Sequence, residues 1–212
     1  MIIILEGISK TGKSTWFNRN KEYLENIWPN VKKTHLHDTE RGSALKRMYF
    51  DTIKYPTPYG KSNLLLQYAA IHLHHAMNFT PVPHHELRVL DRSIVSTFCI
   101  SLPQMLETFK EHNLSISANT IEYMLAATQI YFDGIQDALG GTPPIIVYFD
   151  GSVEDKRYAG MELEQSFYSK FFYKNFEGPS LIQVDASKSI EEVDVFIKCE
   201  LNNILVGKNG NN

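Results

Sequence analysis

The chain opens on "MIIILE" and passes directly into "GISKTGKST", Gly7 to Thr15. No other stretch restricts the fold as strongly. A short apolar run followed by glycine, four residues, glycine, lysine and serine fits a buried strand that turns through a phosphate-wrapping loop into a helix. Gly7 and Gly12 would let backbone N–H groups turn inward, and the helix N-terminus behind them adds positive potential. In such a loop Lys13 is expected to reach the β- and γ-phosphates of a nucleoside triphosphate and Ser14 to ligate Mg²⁺, with Ser9, Thr11 and Thr15 completing the cradle. A second lysine, Lys10, stands three residues before Lys13 and adds a further cation to the loop.

The rest of the chain supplies the sheet and helices such a loop requires. Leu87–Leu90 and Ile145–Phe149 are short apolar runs like Met1–Leu5, suited to parallel strands buried on both faces. Lys33–His37 and Leu181–Val184 are weaker strand candidates. Helical spacing covers Lys13–Ile27, Ser62–Phe79 and Asn119–Leu139, the last stopped by Gly140-Gly141 and "TPP". Ser189, with Glu192 three residues on, is a capping box for a final helix. Alternating strands and helices predict a layered α/β domain over residues 1–206, with "GKNGNN" (207–212) as a flexible tail. "PVPHH" (Pro81–His85) reads as a loop.

Composition narrows the function. With 212 residues, 43% hydrophobic, the chain can bury one sizeable core. A net charge of −3 gives no general attraction to nucleic acid, although a local basic groove stays compatible with it. Two cysteines do not make a disulfide framework, and no apolar run approaches a membrane span, so a cytoplasmic protein without membrane association is expected. A guanine-reading N-K-x-D is not present. The histidine pairs (His35/His37, His72/His75) lack the cysteine or carboxylate company of a zinc site and read as satisfied polar or substrate-lining groups.

"LRVLDRSIVS" (Leu87–Ser96) places Asp91-Arg92 at the end of an apolar strand, where ligands gather in parallel sheets. An aspartate there can hold Mg²⁺ or its water, and an arginine can fork onto an acceptor phosphate. Together with "ILEGISKTGKST", "LQYAAIH", "DKRYAGMELEQ" and "VDASKSIEEV", taken in order along the chain, this resembles the thymidylate kinase family of P-loop kinases. The resemblance implies a three-layer fold with a five-stranded parallel sheet flanked by helices. It also implies ATP- and Mg²⁺-dependent phosphoryl transfer to a deoxynucleoside monophosphate, most simply dTMP or a related pyrimidine. Carried over by position, Asp91 lies near metal and acceptor, Arg92 grips phosphate, Ser96 lies near the base and Tyr68 stacks on it. A homodimer is compatible with the family's dimer face, and Gln129 or Asp133 could touch ligand.

The departures define what else the chain could be. His72 replaces an arginine that donates to the base and cannot make the same fork. Ser93 replaces an aromatic, and D-R-S also occurs in deoxynucleoside kinases. No clean acceptor-arginine motif follows the second strand; Arg41 is the best candidate and Arg47 the next. Only 151–160 separates strand and helix where the family carries a lid, and Lys156 and Arg157 lie within it. Lys10 reads as a stand-in for a lid cation at the γ-phosphate. The alternatives are a deoxynucleoside kinase, a kinase of a modified pyrimidine (even one within DNA), and a catalytically idle nucleotide-binding protein.

Overall fold

The computed structural model describes residues 1–35, 65–73, 80–115, 118–151, 161–175 and 181–209. Five strands, β1 (Ile2–Glu6), β2 (Asn30–His35), β3 (Glu86–Asp91), β4 (Ile145–Asp150) and β5 (Leu181–Asp185), form one sheet of order β2-β3-β1-β4-β5. Every pairing is parallel. Helices α1 (Lys13–Arg19), α2 (Lys21–Ile27), α3 (65–73), α4 (Ile94–Glu111), α5 (Ala118–Ala138), α6 (Glu162–Asn175) and α7 (Ile190–Asn209) surround it.

The layering follows from the two-residue side-chain period of a strand. On β1, Ile2 and Ile4 face one core, with Phe98 and Leu102 of α4, Tyr131 and Ile135 of α5, and Tyr168 of α6. Ile3 and Leu5 face the other, with Trp16 and Phe17 of α1, Leu24 of α2, and Ile197 and Leu201 of α7. A central strand covered on both faces must be apolar throughout, and all five residues of β1 are buried, Glu6 included.

Several elements differ from the sequence expectation. The second strand runs Asn30–His35 rather than Lys33–His37; His37 lies outside the described residues. Its register is set by β3, from Asn30 opposite Glu86 to His35 opposite Asp91. Glu86 anchors that start by accepting from Asn30 at 3.0 Å and Lys32 at 2.7 Å, a cross-strand influence that no local pattern carries. The helix expected over Lys13–Ile27 breaks at Asn20, whose amide donates to the Trp16 carbonyl at 2.9 Å and to Asp194 at 2.7 Å. Such a side chain competes with the backbone ladder and ends the first helix. Helix α4 carries Pro103 in its interior and has no counterpart among the helices expected from the sequence. It is nucleated instead by Ser93, whose hydroxyl accepts from Val95 N–H at 3.1 Å.

Local stop and start signals behave as their chemistry requires. Gly140 and Gly141 adopt φ of 65° and 87° after α5, and Gly141 N–H donates to Gln136 at 2.9 Å. Ser189 and Glu192 form the reciprocal capping box at the start of α7. That helix runs on to Asn209, into the segment read as tail, and takes in Gly207, the poorest helix former after proline. Among the described residues, no helix is long and apolar enough to cross a membrane.

Candidate active site

The C-terminal ends of β1, β2 and β3 meet at one edge of the sheet, and the loop 7–12 crowns it. Gly7 has φ 129°, and a Cβ at that position would sit 2.5 Å from the Phe149 carbonyl oxygen of β4. Only glycine permits this approach. Gly12 has φ 93° and precedes α1. Between them Lys10 adopts φ 67°, a left-handed backbone that a lysine holds only under constraint, and its side chain is exposed.

The loop, with Ser9, Lys10, Thr11, Gly12, Lys13, Ser14 and Thr15, lines a cavity of about 350 Å³ that also touches His35, Asp91 and Arg92. Lys13 is 6% exposed, and its ammonium donates to Gly7 O at 2.9 Å, Ile8 O at 2.5 Å and Thr11 Oγ1 at 3.1 Å. Burial holds its pKa well below the ordinary lysine value, and Arg92 and Lys33 push the same way, against Asp91 and Glu6. At hydrogen-bond distance the ammonium meets carbonyl and hydroxyl oxygens, while the Asp91 and Glu6 carboxylates act on it as charges.

Asp91 ends β3 and accepts from Ser14 Oγ at 3.1 Å. Two cis ligands of an octahedral Mg²⁺, each about 2.1 Å from the ion, stand about 3.0 Å apart, so this pair fits that ion. Lys33 of β2 lies 2.8 Å from the same Asp91 oxygen. Burial alone would raise the Asp91 pKa; the hydrogen bond and charge of Lys33, with His35 and Lys13, outweigh it and leave the carboxylate below its ordinary value.

A second cavity, of about 220 Å³, opens on the other side of Asp91 and Arg92. Its walls include Tyr68 and His72 from one face of α3, and Ser96, Thr97 and Ile100 from α4. His72 is buried and meets the Tyr131 ring edge-on, with centroids 5.8 Å apart. The two cavities share Ser9, His35, Asp91 and Arg92. Arg92, at φ 79°, points its guanidinium along this shared wall, donating to Gly7 O at 3.0 Å, Ser96 Oγ at 3.2 Å and Ser9 Oγ at 3.3 Å.

Beneath that wall lies a group the sequence reading passed over. Glu6 is fully buried and accepts from Ser93 N–H at 2.7 Å, the Ser93 hydroxyl, Ser96 Oγ at 2.5 Å and Tyr168 OH at 3.3 Å. One carboxylate thereby joins β1, the start of α4 and the middle of α6. The available signal was an acid ending an otherwise apolar strand, directly before the loop glycine. Lys33 is not marked by the sequence, because nothing local shows that β2 brings it to Asp91; His35, expected as a satisfied polar or substrate-lining group, lines both cavities.

Of the predicted site residues, Ser9, Lys10, Thr11, Gly12, Lys13, Ser14, Thr15, Asp91 and Arg92 converge on the first cavity and Tyr68, His72 and Ser96 on the second. Gly7 lies beneath them. Arg41, Arg47, Lys156, Arg157 and the lid segment after Gly151 lie outside the described residues. Gln129 and Asp133 do not line either cavity; they bond each other at 2.7 Å on the exposed face of α5.

Neither a protein-family model nor a curated protein matches the sequence. Solved structures do match. Thymidylate kinase from Ehrlichia chaffeensis superposes over 95% of this chain and 98% of its own, with TM-score 0.59 at 18% identity. Thymidylate kinase from Candida albicans covers 96% and 92%, with TM-score 0.59 at 15% identity. Deoxyadenosine kinase from M. mycoides, with bound dATP, covers 95% and 100%, with TM-score 0.57 at 14% identity. The chain has the thymidylate-kinase-like P-loop fold. The five-stranded parallel sheet between two helix layers agrees with the expectation from sequence.

Proposed function

We propose that this protein is a kinase that moves the γ-phosphoryl group of ATP onto a deoxynucleoside monophosphate, most simply dTMP or a related pyrimidine nucleotide. The observation that carries the reading is the pair of cavities with one common wall. One is a phosphate loop, the other a pocket with a tyrosine and a histidine on one helix face, and Asp91 and Arg92 belong to both. A donor and an acceptor bound on either side would meet at those two residues.

Phosphoryl transfer asks a protein for positioning and charge stabilisation rather than covalent participation. Lys13 would exchange its loop carbonyls for the donor phosphates, which would bring negative charge to hydrogen-bond distance of its buried ammonium. Ser14 and Asp91 would hold Mg²⁺, which when bound neutralises charge developing on the transferred group. Arg92, fixed along the shared wall, would steer the acceptor oxygen into line. Tyr68 would lie against the acceptor base, while His72 offers one N–H or one lone pair where a guanidinium would offer a fork. Arg41 and Arg157 would supply acceptor and lid cations.

A deoxynucleoside acceptor is the second reading. Its support is that Arg92 directs its guanidinium to Gly7, Ser9 and Ser96, while Ser93 serves as a cap bonded to Glu6. The test is purified protein with ATP and Mg²⁺ against dTMP, other deoxynucleoside monophosphates, thymidine and duplex DNA, with products separated by chromatography. Diphosphate formed from dTMP is the expected result. Turnover of thymidine without dTMP would select the second reading. Turnover of DNA alone would replace both, and ATP binding without turnover of any acceptor would make the chain a nucleotide binder.

A further inference from the structure

Lys33 lies outside every residue set so far given a role in catalysis, yet its ammonium stands on both groups suited to a divalent ion. Its Nζ is 2.8 Å from Asp91 Oδ2 and 3.4 Å from Ser14 Oγ. It also lies 5.3 Å from the centroid of the Phe17 ring, a cation–π contact on the ammonium itself. The pairing register of β2 with β3 sets this position: Lys33 is opposite Val89, two residues before the His35–Asp91 pair. The side chain is only about a quarter exposed, which distinguishes it from a solvated surface lysine.

We propose that Lys33 is a built-in cation of this site, holding the position of the divalent ion and surrendering it when the metal arrives with nucleotide. The inference rests on the nucleotide-binding reading above and deepens it. A divalent ion on the same Asp91 oxygen and Ser14 hydroxyl would compete with the ammonium for their lone pairs and repel it at that short distance. Without metal, Lys33 cancels the Asp91 carboxylate that would otherwise face the phosphates and repel them. With metal, that cancellation is redundant. The chain should therefore bind ATP with a weaker metal requirement than its phosphate loop alone would impose, and Lys33 should be what weakens it.

Calorimetric titration of ATP into wild type, Lys33→Met and Lys33→Gln, each in EDTA and in Mg²⁺, separates the outcomes. The expected result is an affinity loss of about tenfold or more for both variants in EDTA, shrinking to threefold or less in Mg²⁺. This difference reads Lys33 against the metal with no turnover involved. An equal loss in the two conditions would overturn the proposal, because Lys33 would then act only as a general attractor of phosphate. No loss in either condition would overturn it too, leaving Lys33 a strand-edge ion pair. Lys33→Gln retains a polar stem on the sheet edge, so it answers the question if Lys33→Met does not fold. Wild type that binds no ATP even in Mg²⁺ would sink the nucleotide reading itself, and this inference with it.

Discussion

At the phosphate end of the cleft the walls are largely main chain. Gly7 and Gly12 take conformations that side chains resist, Lys10 is forced into another, and even Lys13 is held by the carbonyls of Gly7 and Ile8. At the end proposed for the acceptor the lining includes residues of α3 and α4 beside the end of β3. A main-chain wall recognises what all nucleotides share, because N–H groups and a helix terminus read only negative charge. A side-chain wall recognises shape and donor pattern, and can change its ligand without disturbing the other end. In the proposed kinase, Tyr68, His72, Ser96 and Thr97 would set the choice of acceptor, while residues 7–15 would hold the phosphates that any nucleoside triphosphate carries.

The largest expected effect would break this division. Glu6 lies beneath both ends, receiving bonds from Ser93, Ser96 and Tyr168, and Arg92 reaches Ser96 from above. In Glu6→Gln the new amide N–H groups would face either the Ser93 backbone donor, which cannot turn away, or the Ser96 and Tyr168 hydroxyls, which would lose the acceptor oxygen they share and have to reorient. A loss of about 3 kcal/mol in stability is expected, measured by denaturant unfolding. ATP affinity and acceptor KM should deteriorate together. Deterioration of one alone would mean that Glu6 supports a single end and that the two are not joined through it.

The same contrast explains what the sequence could reveal. The phosphate loop is legible because its requirements are written as residue types: glycine at position 7, where a Cβ would meet Phe149 O, and lysine and serine directly after Gly12. Tyr68, His72 and Ser96 were reachable only by position along a resemblance, since nothing local says that one face of α3 meets α4. Three things were not legible. The start of β2 depends on Glu86 across the strand pair. The helix through Pro103 depends on its cap and on packing rather than on propensity. The direction of Arg92 depends on carbonyl and hydroxyl partners 85, 83 and 4 residues away. For β2 and for Arg92 a partner more than fifty residues away helps decide an arrangement that the local sequence leaves open.

A middle-sized effect would sharpen the division. His72→Phe keeps a ring of similar breadth against Tyr131 and removes both nitrogens. Acceptor KM is expected to rise about tenfold, the worth of one good hydrogen bond to a bound base. ATP affinity should stay within about twofold, because His72 does not line the phosphate cavity. Steady-state kinetics with acceptor varied, beside an ATP titration, measures both. An unchanged KM would make His72 a packing residue and move base recognition to Tyr68 and Thr97.

Lys10 gives the smallest effect on stability and tests whether a main-chain wall needs its one misplaced side chain. A lysine at φ 67° costs about 1 kcal/mol relative to glycine, partly offset because glycine is freer when unfolded. Lys10→Gly should therefore raise stability by about 0.5 kcal/mol, a shift of 1–2 °C in Tm for a chain of this size. If the backbone strain is held for the sake of the charge, kcat should fall while Tm rises. The fall should be modest, about threefold to fivefold, because the side chain is exposed and its field is screened. A rise in Tm with kcat unchanged would reduce Lys10 to a solvent-facing residue in a turn that glycine would serve better. A fall in both would mean that its side chain, rather than its backbone, holds the loop in shape.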